Sequence, residues 1–560
     1  MISAIISRSY LFISAISFSQ IRCIAIAITF CILQVTQAQQ KNTVSKVWVA
    51  DNRDGTYKNP VINADYSDPD AIRVGDDYYL ISSSFNHAPG LPILHSKDLV
   101  NWTLIGHALK RQPPFDHFSQ VQHGNGVWAP AFRFHKGEFY IYYPDPDFGI
   151  YMIKTKNIAG PWTDPVLVEA GKGLIDPCPL WDDNGKVYLT HAYAGSRAGI
   201  KSIIVVKQMN AEGTKTIDDG VIVYDGHELD PTIEGPKIYK RDNWYYLFAP
   251  AGGVSTGWQL VLRSKSIYGP YERRVVMDQG STSVNGPHQG AWVDTKNGEH
   301  WFLHFQDKEA YGRVVHLQPV KWINDWPVIG EDKNADGKGE PVSIYKKPNV
   351  GKTYPVVTLP DSDEFNENKI GLQWQWQANP KPYWAFPSTG KLRLFSYQLP
   401  DSIKNYWNTP NLLMQKFPAD EFMVTTKLSF QPRLDGERAG LIIFGADYAY
   451  LSVVKKADGN YFSYSLCKEA DKGREETVQD GEKVTNTDIY LRVKVAKGAI
   501  CEFSYSLNGT TFKSVGEKLV AKPGRWVGAK FGLFCTRTVK TNDSGFADVD
   551  WFRVENPQSP

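Results

Sequence analysis

Helical periodicity is what this 560-residue chain has least of. Across residues 55–345 almost no stretch repeats apolar residues at the three- and four-residue spacing of an amphipathic helix, which turns the reading towards strands. Net charge is nearly absent too, with 62 Lys and Arg against 60 Asp and Glu. No basic field is available for nucleic acid or an anionic membrane surface, so neither is expected as a partner. Cysteine is scarce: two of six (Cys23, Cys31) fall in the N-terminal leader, and Cys178, Cys467, Cys501 and Cys535 are far apart. No C-x-x-C pair exists, so a zinc site is not expected, and a chain of this size needs no disulfide framework. Buried thiols are the expectation. Long apolar runs are confined to the leader, so no membrane span is expected beyond it.

The leader, residues 1–38, has the pattern of a secretory signal. Arg8 and Arg22 precede the apolar run Ile24–Val35, and Thr36-Gln37-Ala38 resembles a small-residue cleavage site. Phe30, ahead of Cys31, stands where a lipoprotein signal needs a small residue. The mature protein is expected to be exported, periplasmic or secreted.

Aromatic residues are plentiful, with 17 Trp and 29 Tyr, and they recur in a pattern. Polar turns precede short aromatic strands at Gly75–Leu80, Lys136–Ile141, Asp183–Leu189, Arg241–Leu247 and Lys296–Leu303. A period of about 50–60 residues built from short strands alone points to a β-propeller with one four-stranded blade per repeat. Five repeats predict five blades over residues 55–345. The polar loop Gly330–Glu340 contains Asp332-x-Asn334-x-Asp336-Gly337, half of a calcium-loop pattern, but Ser343 replaces its bidentate Glu and a solvated loop is expected. Over residues 356–557 the long period disappears. Strands such as Phe422–Phe430 and Tyr490–Ala496 alternate apolar with polar residues, as in a β-sandwich.

Aligning the repeats on their aromatic strands brings Asp68, Trp128, Asp176, Glu234 and His288 to similar offsets, about eleven to fourteen residues ahead. Pro follows at Asp68-Pro69, Trp128-Ala129-Pro130, Asp176-Pro177 and Glu234-Gly235-Pro236. Any one of these is an ordinary turn residue. Three carboxylates around one propeller axis repel each other, a cost without structural benefit. Glycoside hydrolysis uses such a group: one carboxyl protonates the leaving oxygen while another activates water or attacks the anomeric carbon. Trp128 would offer a face for sugar stacking.

Asp65–Asp70, Gly126–Pro130, Ile175–Pro177 and Glu234–Pro236 resemble the motifs of glycoside hydrolase family 43, as do Pro89–Ile93, Gly312-Arg313 and Leu317–Trp322. The second domain, with Trp374-Gln375-Trp376 near its start and Asp548–Phe552 at its end, resembles the concanavalin A-like C-terminal domain of β-xylosidases. The resemblance implies an inverting mechanism with Asp68 as general base, Glu234 as general acid and Asp176 as modulator of the acid. Inversion needs the Asp68 and Glu234 carboxyls about 6.5–9.5 Å apart. It also implies substrate contacts from Trp128, Arg313 and Phe85, and places His288 near a structural calcium or sodium ion that the chemistry does not require. Members with this layout act on terminal pentoses of oligo- or polysaccharides. The Val314–Gly330 stretch inclines the expectation to an α-L-arabinofuranosidase, with β-D-xylosidase or dual activity as the alternative; the residue chemistry does not decide between them. An endo-arabinanase and a non-catalytic carbohydrate-binding propeller are remoter alternatives.

Overall fold

A computed structural model describes residues 44–388 and 390–558, so the expected leader lies outside the described residues. The five predicted blades are present. Each is a four-stranded antiparallel sheet of consecutive strands, and the first strands are Asp70–Val74, Ala131–His135, Leu174–Trp181, Lys237–Arg241 and His288–Asp294. Two-residue turns join each of the first two hairpins: at Lys136-Gly137 both residues have positive φ, the backbone that matches strand twist.

The aromatic runs are second strands, and their burial explains why they read as continuous rather than alternating. In Trp244–Ala251, Tyr245, Leu247 and Ala249 pack with Tyr188, Ile204 and Val206 of blade three. Tyr246 and Phe248 face the other way, onto Phe302, Val320 and Trp326 of blade five. Successive side chains point to opposite faces of a strand, and here both faces meet a neighbouring blade. First strands of successive blades touch at four of the five junctions, including that of blade five with blade one, so they form the inner wall. The ring is fastened by Thr56–Lys58, which pairs with Ile344–Lys346, and by Tyr57, whose hydroxyl donates to Leu317 O at 2.8 Å.

The second architecture is the predicted sandwich, with one eight-stranded and one seven-stranded sheet. Phe422–Gln431 and Asp488–Ala496 lie side by side in one sheet, their inward residues (Val424, Leu428, Leu491, Val493) meeting Leu441, Ile443 and Leu451 of the other. Cys178, Cys467, Cys501 and Cys535 are buried free thiols.

Propeller and sandwich belong to one compact unit. Trp376 exchanges backbone hydrogen bonds with Ala88 at 2.7 and 3.1 Å, Gln375 Nε2 donates to Pro89 O at 2.9 Å, and Asn86 Nδ2 donates to Gln377 O at 2.6 Å. Two segments that stood out separately in sequence, around Pro89 and around Trp374–Trp376, therefore dock against each other.

Candidate active site

The inner strands begin at one end of the propeller, and the carboxylates sit where they begin. Strand pairing refines the sequence alignment by one residue. Ser67, Trp128 and Glu234 occupy one level: Ser67 O accepts from Ser83, while Trp128 and Glu234 donate to Pro144 O and Pro250 O at 3.1 Å each. Asp68 and Gly235 are one residue further on, as is Asp176, which sits in a register break between Ile175 and Cys178. All three of these residues have left-handed backbone (φ 55, 61 and 56°), and each precedes a proline. Two aspartates in a conformation unusual for side chains larger than glycine mark the place where the backbone is bent to aim them. Glu234 is thus offset from the aspartates by one residue, and its side chain keeps 30% exposure while Asp68 has 8%.

Donors converge on Asp68. Ser67 Oγ donates to its Oδ2 at 2.7 Å and Ser83 Oγ to the same oxygen, while Arg313 Nη1 lies 3.4 Å from Oδ1 and donates to Ser67 Oγ at 2.8 Å. Asp176 is buried. Its Oδ2 accepts from Gly235 N at 2.7 Å and from Gln289 Nε2 at 3.3 Å. Burial pushes the Asp176 carboxyl well above the usual carboxylate range; the charges of Glu234 and Asp68 add to this, against the Gly235 hydrogen bond and Lys237.

Glu234 Oε1 lies 3.0 Å from Nε2 of the buried His288, whose Nδ1 has no partner among the described residues. One imidazole nitrogen is therefore committed to Glu234. Among the described residues no three His, Cys, Asp or Glu side chains gather as metal ligands. In the Asp332 loop, both carboxylate oxygens of Asp332 cap the loop's own amides, from Asp336 at 3.2 Å and Gly337 at 2.9 Å.

Trp128 is held by its Nε1, which donates to Gly124 O at 2.8 Å, and Arg197 lies over its ring at 5.3 Å. Phe85 is buried with φ 51°, and its backbone pairs with Val127, so it fixes the segment that carries Trp128. Arg313 stacks over Phe305 at 4.9 Å. Beneath the acids, Asp70 Oδ2 accepts from Phe132 N at 2.8 Å and Arg133 Nη1 at 2.9 Å; Arg133 Nη2 donates to Cys178 Sγ at 2.7 Å, and Lys237 Nζ donates to Pro130 O at 2.6 Å. This buried layer ties blades one to four together under the site.

The sandwich contributes a residue that has no signal in sequence. Trp526, in the loop between Lys513–Val520 and Lys530–Arg537, presents its ring 6.3 Å from Trp128 in an edge-on arrangement and 5.8 Å from the Arg313 guanidinium. A cleft of about 1020 Å³ opens beside them, lined by Asn285, Gln306, Arg313, Trp407, Arg525 and Trp526 among others. The cleft is a recess walled by both domains, and Arg313, whose guanidinium meets Asp68, is part of its lining.

Residues 57–327 match the model of Glycosyl hydrolases family 43, and residues 362–555 match the Beta xylosidase C-terminal Concanavalin A-like domain. A putative beta-xylosidase of Xylanibacter ruminicola is 40% identical over 503 residues, covering 88% of both chains. The chain belongs to glycosyl hydrolase family 43. A beta-xylosidase of Formosa agariphila is 33% identical, covering 90% of this chain and 91% of its own. A non-reducing end alpha-L-arabinofuranosidase of Bacteroides ovatus is 28% identical, covering 89% and 94%. The chain is therefore a glycosidase acting on carbohydrate. Among the described residues no helix is long and apolar enough to cross a membrane.

Within this family 43 chain, sequence reasoning named the three acids, Trp128, Arg313 and His288, and the structure brings them to one end of the propeller. It missed Ser67 and Ser83, which hold Asp68, and Trp526. Ser67 was available as the residue before the aspartate. Ser83 emerges only from the pairing of Ser67 with the end of the second strand.

Proposed function

We propose that the chain is an exo-acting, inverting pentosidase of hemicellulose, with terminal β-D-xylosyl units as its first substrate. The observation that carries exo action is Trp526: an indole from the sandwich stands against Trp128 and Arg313 of the propeller and closes one side of the recess. An open groove for a continuing polymer is not what such a wall leaves. Two of the three relatives described above carry a β-xylosidase name, and they are the more similar ones. This weighs towards the xyloside and away from the arabinofuranoside expected from Val314–Gly330. The second reading remains α-L-arabinofuranosidase, favoured by the Bacteroides ovatus relative, because the two pentoses present similar hydroxyl patterns to one pocket. The apolar leader supports action outside the cytoplasm.

In the proposed mechanism Glu234, offset towards solvent and held through His288, delivers a proton to the leaving glycosidic oxygen. Asp68, fixed by Ser67, Ser83 and Arg313, accepts a proton from the water that attacks the opposite face of the sugar. Asp176 is fastened to the peptide that follows Glu234, and its proton and charge set the field in which the acid works. Side-by-side kinetics on nitrophenyl β-xyloside and nitrophenyl α-L-arabinofuranoside test the substrate: a higher kcat/KM on the xyloside is expected, and a higher value on the arabinofuranoside would favour the second reading.

A further inference from the structure

Asp65 is buried three residues ahead of Asp68. Its Oδ1 accepts from Arg313 N at 2.9 Å and its Oδ2 accepts from Gly528 N at 2.9 Å. One carboxylate thus spans the two domains. It grips the propeller at the residue whose guanidinium meets Asp68, and the sandwich two residues after Trp526. The backbones around it are in close contact. A methyl group on Gly312 would stand 2.5 Å from the Asp65 side chain, and one on Gly528 would stand 2.6 Å from Gly312 N. Ala529 N donates to Ala310 O at 2.7 Å, and Lys416 Nζ donates to the Asp65 carbonyl at 2.5 Å. Nothing bulkier than glycine fits at either contact, and a buried carboxylate bonded to two amides is a strong and directional fastening.

We infer that Asp65 is a positioning residue that sets the Trp526 wall and Arg313 in a common frame, so that the recess is complete only when the sandwich loop is clamped to the propeller. Neither Arg313 nor Trp526 reaches across by itself: their contact is a stacking distance of 5.8 Å, and no hydrogen bond joins their side chains among the described residues. The clamp supplies the rigidity that this contact lacks. The inference rests on Trp526 serving as the pocket wall.

The test is a double-mutant cycle between Asp65→Asn and Trp526→Ala, using whichever nitrophenyl pentoside the wild-type enzyme hydrolyses fastest. Asn keeps one acceptor but turns an NH₂ towards the other amide. Asp65→Asn should therefore lower kcat/KM by roughly tenfold, mainly through KM. Combined with Trp526→Ala it should lower kcat/KM little further than Trp526→Ala alone, because both act through the same wall. Gly528→Ala, which wedges the joint from the sandwich side and leaves Asp65 intact, should reproduce the KM effect and the non-additivity. Losses that multiply, wild-type kcat/KM in both joint variants, or failure of both to fold would overturn the positioning role. If Trp526→Ala alone leaves KM unchanged, the wall reading fails and the inference falls with it; additive losses alongside a raised KM for Trp526→Ala would strike the joint alone.

Discussion

The amide of Gly235 donates to Asp176 Oδ2 at 2.7 Å, so the buried carboxyl is fastened to the peptide bond that follows Glu234. The two acidic groups cannot move independently. Burial and the Glu234 charge together push the Asp176 carboxyl upward. Asp176→Asn removes this raised carboxyl and its proton. The alkaline limb of the kcat/KM profile should therefore move to lower pH, with kcat at the optimum reduced. An unmoved limb would show that Asp176 only binds sugar.

Glu234 and Asp68 are assigned opposite proton transfers, which leaving-group dependence separates. Glu234→Gln should lower kcat/KM on an unactivated xylobioside by ~10²–10⁴-fold, the usual contribution of general acid catalysis. On a dinitrophenyl xyloside, whose leaving group needs little protonation, the loss should be much smaller. Asp68→Asn should impair both substrates alike. Equal losses for the Glu234 variant on both substrates would remove it from the acid role.

Trp526 stands against Trp128 and Arg313. Trp526→Ala should raise KM on short xylosides by about three- to tenfold, in line with the worth of an aromatic contact, with the melting temperature little changed because the residue is 44% exposed. Appearance of cleavage within longer xylan chains in this variant would show directly that the wall enforces exo action; an unchanged KM would show that it does not contact the sugar.

Lys416 gives the domain junction a pH dependence. Burial, and then the neighbouring Lys530 charge, pull its ammonium from 10.5 down to about 7. Below about pH 7 the proton is bound in both folded and unfolded chains, and the folded state bears the full cost of burying it. Between about 7 and 10.5 the unfolded chain binds more protons, so this group's contribution to stability rises with pH. Lys416→Met should therefore gain melting temperature relative to wild type near pH 6, and that advantage should shrink as pH approaches 9. A difference that is flat with pH would mean the ammonium is solvated.

How much of this was legible in sequence depends on the range of the interaction. The hairpin around Tyr245 and Tyr246 carries its period in a few adjacent residues, because each blade repeats the same local contacts. The three acids were legible because each is followed within two residues by a proline, at a similar distance ahead of its aromatic strand. The one-residue shift between Glu234 and the two aspartates was not, because it depends on backbone register and on the bulge at Asp176. Trp526 and Asp65 were illegible for a different reason. Their contacts cross the domain junction, Asp65 to Gly528 and Trp526 to Trp128 and Arg313, between parts of the chain hundreds of residues apart, and neither has a repeat partner to compare with. The arabinofuranoside expectation rested on a stretch, Val314–Gly330, that forms a blade-five hairpin; Arg313, just ahead of it, meets Asp68.

The central claim is that Asp68 drives water onto the sugar from the face opposite to the proton delivered by Glu234. Proton NMR of the first minutes of β-xyloside hydrolysis reads this directly, before the released sugar equilibrates. Inversion predicts α-xylose as the first-formed anomer. β-Xylose appearing first would require a nucleophilic carboxylate and would contradict the roles given to Asp68 and Glu234.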